Sequence, residues 1–530
     1  MWPNSRLKAY LAEHNYRYSA LLFFVTAALV LYGPYLNRLP WGFHDWAQSD
    51  RLSLALGFYD YNFDFFHPRT LALNTVDSVT GVEPPIQAYL AGLLGLLVGR
   101  SNITVAFRCL DLAMMVVGFY FLFRLVFEST GSFLAGLVPA AFLLASPIFI
   151  YYSGTYTPDP FSASLVFVAA YYYWRFYYRE RRFQHLQLAT AIAGLAMLVK
   201  ILSGVYFLAF TGVVLIASYL IPTLLSLRQK LLFFGLVGMV MLLQLAYILY
   251  HQHLNVAYGS GLFLATALPI KTMAEHEAIW SKMRTTWSLE YFTPVDYYYL
   301  KASLGLVLVY ALLRWRTAVT YLPLVLLGGL CASGVVVLYA LMGSQLMVHD
   351  YYIIAPLMPL LVFILVGALW ALQAILSQRR SKWIVKLVFV LAIGVPLVAG
   401  AKHHYARMTD PYKPHSDSYV YRWMVGGEQK LRAAGVPSSA FILVLGESAP
   451  NLSLVYFNRR GITWNPNLDK VSPDTLLRTM AGRRLSYLIM RKEIEEQVQR
   501  ENPALLVPFR LVSQDDKCYI FKPLRQPIAW

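Results

Sequence analysis

Apolar runs recur along the first 400 residues, at 19–36, 106–127, 133–150, 161–178, 188–221, 231–250, 302–313, 319–341, 352–376 and 383–400. A helix needs about 20 mainly apolar residues to cross a bilayer, and inside hydrocarbon only a helix or a closed barrel satisfies its own backbone. The run 188–221 is too long for one helix and divides near Lys200 and Gly204. Charged residues make up 14% of the chain and hydrophobic ones 58%, where a soluble chain carries about 25% charge, so most of the chain must face lipid. The pattern predicts a polytopic α-helical membrane protein with about eleven transmembrane helices.

Residues 1–18 are polar and basic and lead into the first run without a small-residue cleavage site, so that run is expected to be a retained span. Lys and Arg number 45 against 28 Asp and Glu, a net charge of +17. In a soluble protein that excess would suit nucleic acid. Here the basic residues sit in short loops between apolar runs, which is how topology is encoded, and no nucleic-acid partner is expected. Cys109, Cys331 and Cys518 show neither metal-ligand nor disulfide-framework spacing.

The segment 84–98 decides the sidedness. It opens on Pro84-Pro85 and falls short of the roughly 17 residues needed to cross. If it does not span, Arg175, Arg179, Arg181, Arg182, Arg228, Lys230, Arg314, Arg316, Arg379, Arg380 and Lys382 all share the side of Arg6, Lys8 and Arg17. If it spans, those loops flip and violate the positive-inside tendency. The non-spanning reading puts the N-terminus inside and the C-terminus outside. The aromatic run 171–178 then suits the inner interface, where such rings settle at headgroup level.

On the outer face this parity gathers the loop 37–105, the turn 151–160, the loop 251–299, the turn around His349, and everything after about residue 401. The first loop holds His44, Asp45, Asp50, Arg51 and Glu83, and its apolar pattern at Leu52, Leu54, Ala55, Leu56 and Phe58 predicts a helix lying along the membrane surface. Asp159 lies between Pro158 and Pro160, where a helix begins and an aspartate also makes a good cap. His349-Asp350-Tyr351-Tyr352 can present an imidazole and phenols to a phosphate or sugar. Lys200 is an intramembrane charge, which by default is a functional candidate, the plain alternative being a lysine that snorkels to the interface.

After residue 400 the apolar runs stop. Strand-like segments at 440–445, 485–490 and 518–521 alternate with helical stretches at 419–434 and 492–499, predicting a small extracytoplasmic α/β domain over 401–530 beside a membrane domain over 1–400. Asn102-Ile103-Thr104 and Asn451-Leu452-Ser453 match glycosylation sequons, a pattern that recurs by chance.

Five motifs occur in a familiar order. They are His44-Asp45-Trp46-Ala47-Gln48-Ser49-Asp50-Arg51; Glu83-Pro84-Pro85-Ile86 with Arg100 and Arg108 after it; Pro158-Asp159-Pro160; Gly194-Leu195-Ala196-Met197-Leu198-Val199-Lys200; and His349-Asp350-Tyr351-Tyr352 with Pro356 and Pro359. This order resembles the membrane-embedded glycosyltransferases of the GT-C class, specifically glycosyltransferase family 39 and its bacterial relatives. Those include dolichyl-phosphate-mannose protein mannosyltransferases and the lipid A aminoarabinose transferase. The chain departs from the family in carrying His44-Asp45 in place of an acidic pair and Glu83 where a lysine precedes the double proline. The cation for the lipid phosphate is then Arg51, Lys200 or Arg69.

The resemblance implies an inverting transfer of a sugar from a polyprenyl-phosphate donor to a lipid, glycan or protein acceptor on the outer face, in a bacterial inner membrane with the site towards the periplasm. A carboxylate takes the acceptor's proton and cations stabilise the departing phosphate. Asp45 or Asp50 is the expected base, with Asp159 a second catalytic acid, and Arg51, Glu83, Lys200, His349, Asp350 and Tyr351 are expected to bind substrate. No cofactor is required, although His44, Glu83 and His349 on that face offer ligands for a divalent metal. The rival class is a polytopic transporter or lipid flippase, which would place ionisable residues and broken helices near mid-membrane.

Overall fold

The computed structural model describes residues 4–263, 266–313, 318–376, 382–409 and 422–524. Arg314, Arg316, Arg379, Arg380 and positions 419–421 of the expected tail helix lie outside the described residues. In chain order the α-helices are α1 Asn4–Tyr32, α2 Asp45–Asp60, α3 Ile86–Val98, α4 Ile103–Thr130, α5 Phe133–Ala145, α6 Pro147–Tyr152, α7 Pro158–Arg175, α8 Phe183–Val199, α9 Gly204–Leu220, α10 Leu227–Tyr258, α11 Met273–Lys282, α12 Ser288–Tyr291, α13 Pro294–Leu313, α14 Ala318–Met342, α15 Ile354–Leu376, α16 Lys382–Thr409, α17 Gly427–Ala433, α18 Leu452–Phe457, α19 Pro473–Gly482 and α20 Lys492–Glu501. The strands are β1 Phe441–Leu445, β2 Gly461–Trp464, β3 Leu485–Arg491, β4 Phe509–Gln514 and β5 Cys518–Pro523.

Among the described residues seven helices are long and apolar enough to cross a membrane: Asn15–Tyr35, Arg100–Thr130, Ile201–Leu220, Leu227–Tyr258, Leu322–Met347, Asp350–Ile375 and Lys386–Thr409. The chain is an integral membrane protein. Four of the eleven spans expected from sequence are not among these seven: α5 and α8 are shorter apolar helices, and α7 and α13 begin on polar and tyrosine-rich turns that lower their mean hydropathy. The 13-residue α3 is also too short to span untilted at about 1.5 Å per residue.

The chain forms two compact units, one of residues 1–36, 108–248 and 266–407, the other of 37–107, 249–265 and 408–530. The tail from 408 shares its unit with the first long loop.

In the first unit α7 packs on α8 and α15, α8 on α9, α9 on α14, and α13 on α15. Gly118 lets α4 approach α7, since a Cβ there would lie 2.8 Å from Ser164 Cβ. Helix α15 carries Pro359, and the Tyr206 hydroxyl enters the gap in its hydrogen-bond ladder, donating to the Pro356 carbonyl at 2.5 Å and accepting from the Leu360 N–H at 2.9 Å. An inserted side chain of this kind is a recognised way to satisfy a broken helix. The aromatic run expected at headgroup level is largely inside the protein: Tyr171, Tyr173, Trp174 and Phe176 are buried. Tyr171 donates to Glu128 at 3.0 Å, an acid that also pairs with Arg17 at 3.0 Å and Arg124 at 2.8 Å, while Tyr173 stacks on Phe210 at 4.7 Å.

In the second unit the five strands form one mixed sheet in the order β2-β1-β3-β5-β4, with β1 parallel to β2 and β3, and β5 antiparallel to β3 and β4. The runs Phe-Ile-Leu-Val-Leu of β1 and Leu-Ser-Tyr-Leu-Ile-Met-Arg of β3 are mostly apolar because such inner parallel strands are covered on both faces. Leu443, Leu445, Leu488 and Met490 pack with Leu476 and Met480 of α19 and Ile494 and Val498 of α20. The β4–β5 turn is held by Asp515, whose carboxylate accepts from the N–H groups of Lys517 at 2.8 Å and Cys518 at 2.7 Å. The first loop extends this sheet: Leu73 N–H donates to the Gly461 carbonyl at 2.7 Å and Gly461 N–H to Leu71 at 3.1 Å, at the free edge of β2.

Candidate active site

Helix α2 carries three of the residues marked by the sequence. His44 precedes it in a left-handed conformation (φ 50°), and Asp45 opens its first turn. The Asp45 carboxylate accepts the Trp46 N–H at 2.8 Å, while Gln48 reaches back to the carbonyls of Phe43 at 2.8 Å and Trp41 at 3.2 Å, fixing the chain that enters the helix. Helix α2 is buried in the protein on most of its circumference, with Leu52, Leu54 and Ala55 wholly inside. It packs between α3 and α18. The backbone crosses so closely at Gly57 that a Cβ would stand 1.9 Å from the Arg69 carbonyl oxygen.

Two carboxyl groups here are shifted together. Asp50 is pushed up to about 7 by burial, opposed by its hydrogen bond from Asn451 and by the Arg51 charge. Glu447, in the loop after β1, is also pushed up to about 7, by burial first, while the Ala449 N–H it accepts at 2.8 Å opposes the rise and the neighbouring charge of Asp45 adds to it. Arg51, expected to greet a phosphate, pairs with Glu83 at 2.6 Å and lies 4.8 Å from the Phe263 ring centre. Arg69 pairs with Asp64 at 3.7 Å and covers the Tyr61 ring.

The first unit holds the second group. Helix α8 ends at Val199, Lys200 takes an extended conformation (φ −146°, ψ 112°), and a short 3-10 turn leads into α9. This break turns the Lys200 ammonium towards Asp159 at the start of α7, 3.8 Å away, and over the Tyr352 ring at 5.0 Å. Both members are buried. The His349 ring stacks on Tyr352 at 5.3 Å and lies at the same distance from Tyr351. Behind them the Tyr152 hydroxyl donates to Asp350 at 2.7 Å, and the adjoining Tyr151 ring is covered by Arg407, which pairs with Glu290.

Asp159, Lys200, His349, Asp350 and Tyr351 therefore gather in the first unit, and Asp45, Asp50, Arg51 and Glu83 in the second. Among the described residues no three His, Cys, Asp or Glu side chains come together as a metal site. Tyr152, Glu290, Arg407, Glu447 and Asn451 belong to these groups and were not singled out for them by sequence. Asn451 carried a signal that pointed elsewhere, since its sequon side chain is wholly buried.

A membrane unit of interrupted helices bearing an acid and a lysine, with an acid-bearing helix in a loop-and-sheet unit, has the architecture of the GT-C class of membrane glycosyltransferases. Residues 82–269 match the family model described as dolichyl-phosphate-mannose-protein mannosyltransferase. The crystal structure of ArnT from Cupriavidus metallidurans bound to undecaprenyl phosphate is similar with a TM-score of 0.61 at 13% identity, over 96% of this chain and 98% of that one. Its apo state gives 0.60 at 12% identity, over 94% and 97%. The oligosaccharyltransferase of Archaeoglobus fulgidus in the apo form gives 0.51 at 12% identity, over 93% of this chain and 73% of that one. A search of curated protein sequences returns no match.

Proposed function

We propose that the protein transfers a sugar from a polyprenyl-phosphate donor to an acceptor hydroxyl on the outer, periplasmic face of a bacterial inner membrane, with inversion at the anomeric carbon. The acceptor oxygen forms a bond to that carbon as the carbon–oxygen bond to the phosphate breaks. The acceptor proton passes to Asp45, and the polyprenyl phosphate leaves with the bonding pair. Asp45 suits the base better than Asp50, whose carboxylate is taken up by Asn451 within the protein.

The observation that carries this reading is the buried Asp159–Lys200 pair at the break between α8 and α9, overlaid by Tyr352 and His349. It supplies a cation for a departing phosphate, flanked by aromatic rings suited to a sugar and an acid to orient it. Arg51, Glu83, Asp350 and Tyr351 complete the proposed contacts, with Glu83 and Asp350 holding Arg51 and Tyr152 respectively. The undecaprenyl phosphate bound by the Cupriavidus protein supports a lipid-linked donor. The proposed chemistry does not call on a resident metal; a divalent ion would serve only to add charge at the phosphate.

The test is transfer of radiolabelled sugar from a polyprenyl-phosphate donor to membrane extract by purified protein. Asp45→Asn is expected to lower kcat by about a hundredfold or more, and full activity in that variant would remove the assignment. A buried charge pair at a helix break is also what a carrier would use. Substrate efflux from proteoliposomes without any glycosyl product would favour that second reading.

A further inference from the structure

The sequence leaves open whether the tail takes part in turnover or only stabilises. The hydrogen bonds around α18 speak to that question. Asn451 immediately precedes α18, a position where an asparagine side chain commonly caps its own helix, yet it makes no such bond. Its Oδ1 instead accepts from the Ser53 hydroxyl at 2.8 Å and the Ala72 N–H at 3.1 Å, and its Nδ2 donates to Asp50 at 2.8 Å. The Ala72 N–H can only donate, which fixes which end of the amide is oxygen. Ser53 closes the ring by accepting the Leu71 N–H at 2.7 Å. Asn451, Asp50 and Ser53 are all buried, where a broken bond strands a polar group.

One turn further along α18, the Tyr456 hydroxyl donates to the Pro40 carbonyl at 2.7 Å, on the segment that enters α2. The two contacts therefore fall on either side of Asp45 in sequence: Pro40 before it, Asp50 and Ser53 after it. From Asp45 to Asp50 the helix advances about 7.5 Å at 1.5 Å per residue, so little intervening chain is free to adjust.

Resting on the proposed role of Asp45 as base, we infer that α18 is a positioning element for that carboxylate, with Asn451 and Tyr456 holding α2 and its entry segment at the place where proton transfer requires them. The tail is on this account a working part of the centre, contributing no group to the reacting atoms.

The experiment compares wild type with Asn451→Ala, Tyr456→Phe and the exchange Asp50→Asn with Asn451→Asp, reading kcat and donor KM per folded molecule, with folded protein counted by size-exclusion recovery. Hydrogen exchange of α2 and β1 amides is read on the same samples. Misplacing a reacting group by about 1 Å costs about a hundredfold. Asn451→Ala is expected to lose about that in kcat with donor KM unchanged, and Tyr456→Phe, which keeps its packing, about tenfold. The exchange variant restores a donor facing an acceptor and is expected to recover most of the loss. Faster exchange in α2 with β1 unchanged accompanies the loss. A lower yield with normal kcat and normal α2 protection would overturn the inference and leave the tail merely stabilising. If wild type transfers no sugar, the proposed function fails, and α2 protection alone then decides: loss on Asn451→Ala supports the positioning contact and no loss overturns it.

Discussion

Asp159 and Asp50 are both buried, and the protein holds them by opposite means. Asp159, in the membrane unit, faces an ammonium at 3.8 Å. Asp50, in the loop-and-sheet unit, faces a neutral carboxamide at 2.8 Å and is pushed up to about 7. An acid beside an ammonium has a partner of opposite sign to offset its burial. A carboxyl bonded to an amide can hold a proton and act as an anchor. The difference separates an acid held by an opposite charge from one held by a hydrogen bond to a neutral side chain.

The sharpest way to break this comparison is to remove the cation. Lys200→Met leaves Asp159 buried without that partner and is expected to cost about 3 kcal/mol or more, read as a fall in the thermal midpoint of detergent-solubilised protein, with Asp159→Asn on the same background recovering most of it. An unchanged midpoint in Lys200→Met would mean that the pair is not what holds Asp159.

Asp50 should respond to pH instead. Burial pushes its carboxyl up to about 7 in the fold, against about 3.9 in an unfolded chain, so the folded state holds an extra proton between those values. Its contribution is complete below about pH 4 and is lost as pH rises to about 7, at less than about 1.4 kcal/mol per pH unit. Glu447 acts in the same direction, so the quantity to measure is the difference in slope between wild type and Asp50→Asn, the variant being flatter. Equal slopes would deny Asp50 its protonated state.

Tyr152→Phe removes the hydroxyl that donates to Asp350 and is expected to cost about 1 to 2 kcal/mol by deleting a buried hydrogen bond to a carboxylate. The smallest effect is expected at Arg51, whose pair with Glu83 is partly exposed. Glu83→Gln should change stability by less than about 1 kcal/mol while altering donor KM, because it removes the negative charge that competes with a phosphate for the guanidinium. A KM unmoved by that variant would remove Arg51 from the donor contacts.

Much of the membrane unit is legible in sequence because hydrocarbon imposes one rule on every segment. The break at Lys200 was visible as a charge inside an overlong apolar run, and Asp159 as an acid between prolines at a helix start. The inner strands β1 and β3 were visible as apolar runs of strand length. Strand β2 was not, being four residues opening on glycine, and β4 was not, because Phe-Arg-Leu-Val-Ser-Gln is neither a continuous apolar run nor a clean alternation. The pairing of Arg51 with Glu83 was also hidden, since each charge alone looks like a substrate contact.

By itself the sequence determined that the chain is embedded in a membrane, where its helices break and which acids and cations stand at those breaks, because burying backbone and charge in lipid admits few solutions. Only the tertiary structure decided that the first loop and the tail form one unit. Residues 71–73 extend the edge of β2, and Asn451, 401 residues beyond Asp50 in sequence, closes on it. Local pattern carries no record of such contacts, because the partner of a hydrogen bond made across that distance is chosen by the packing of the whole unit.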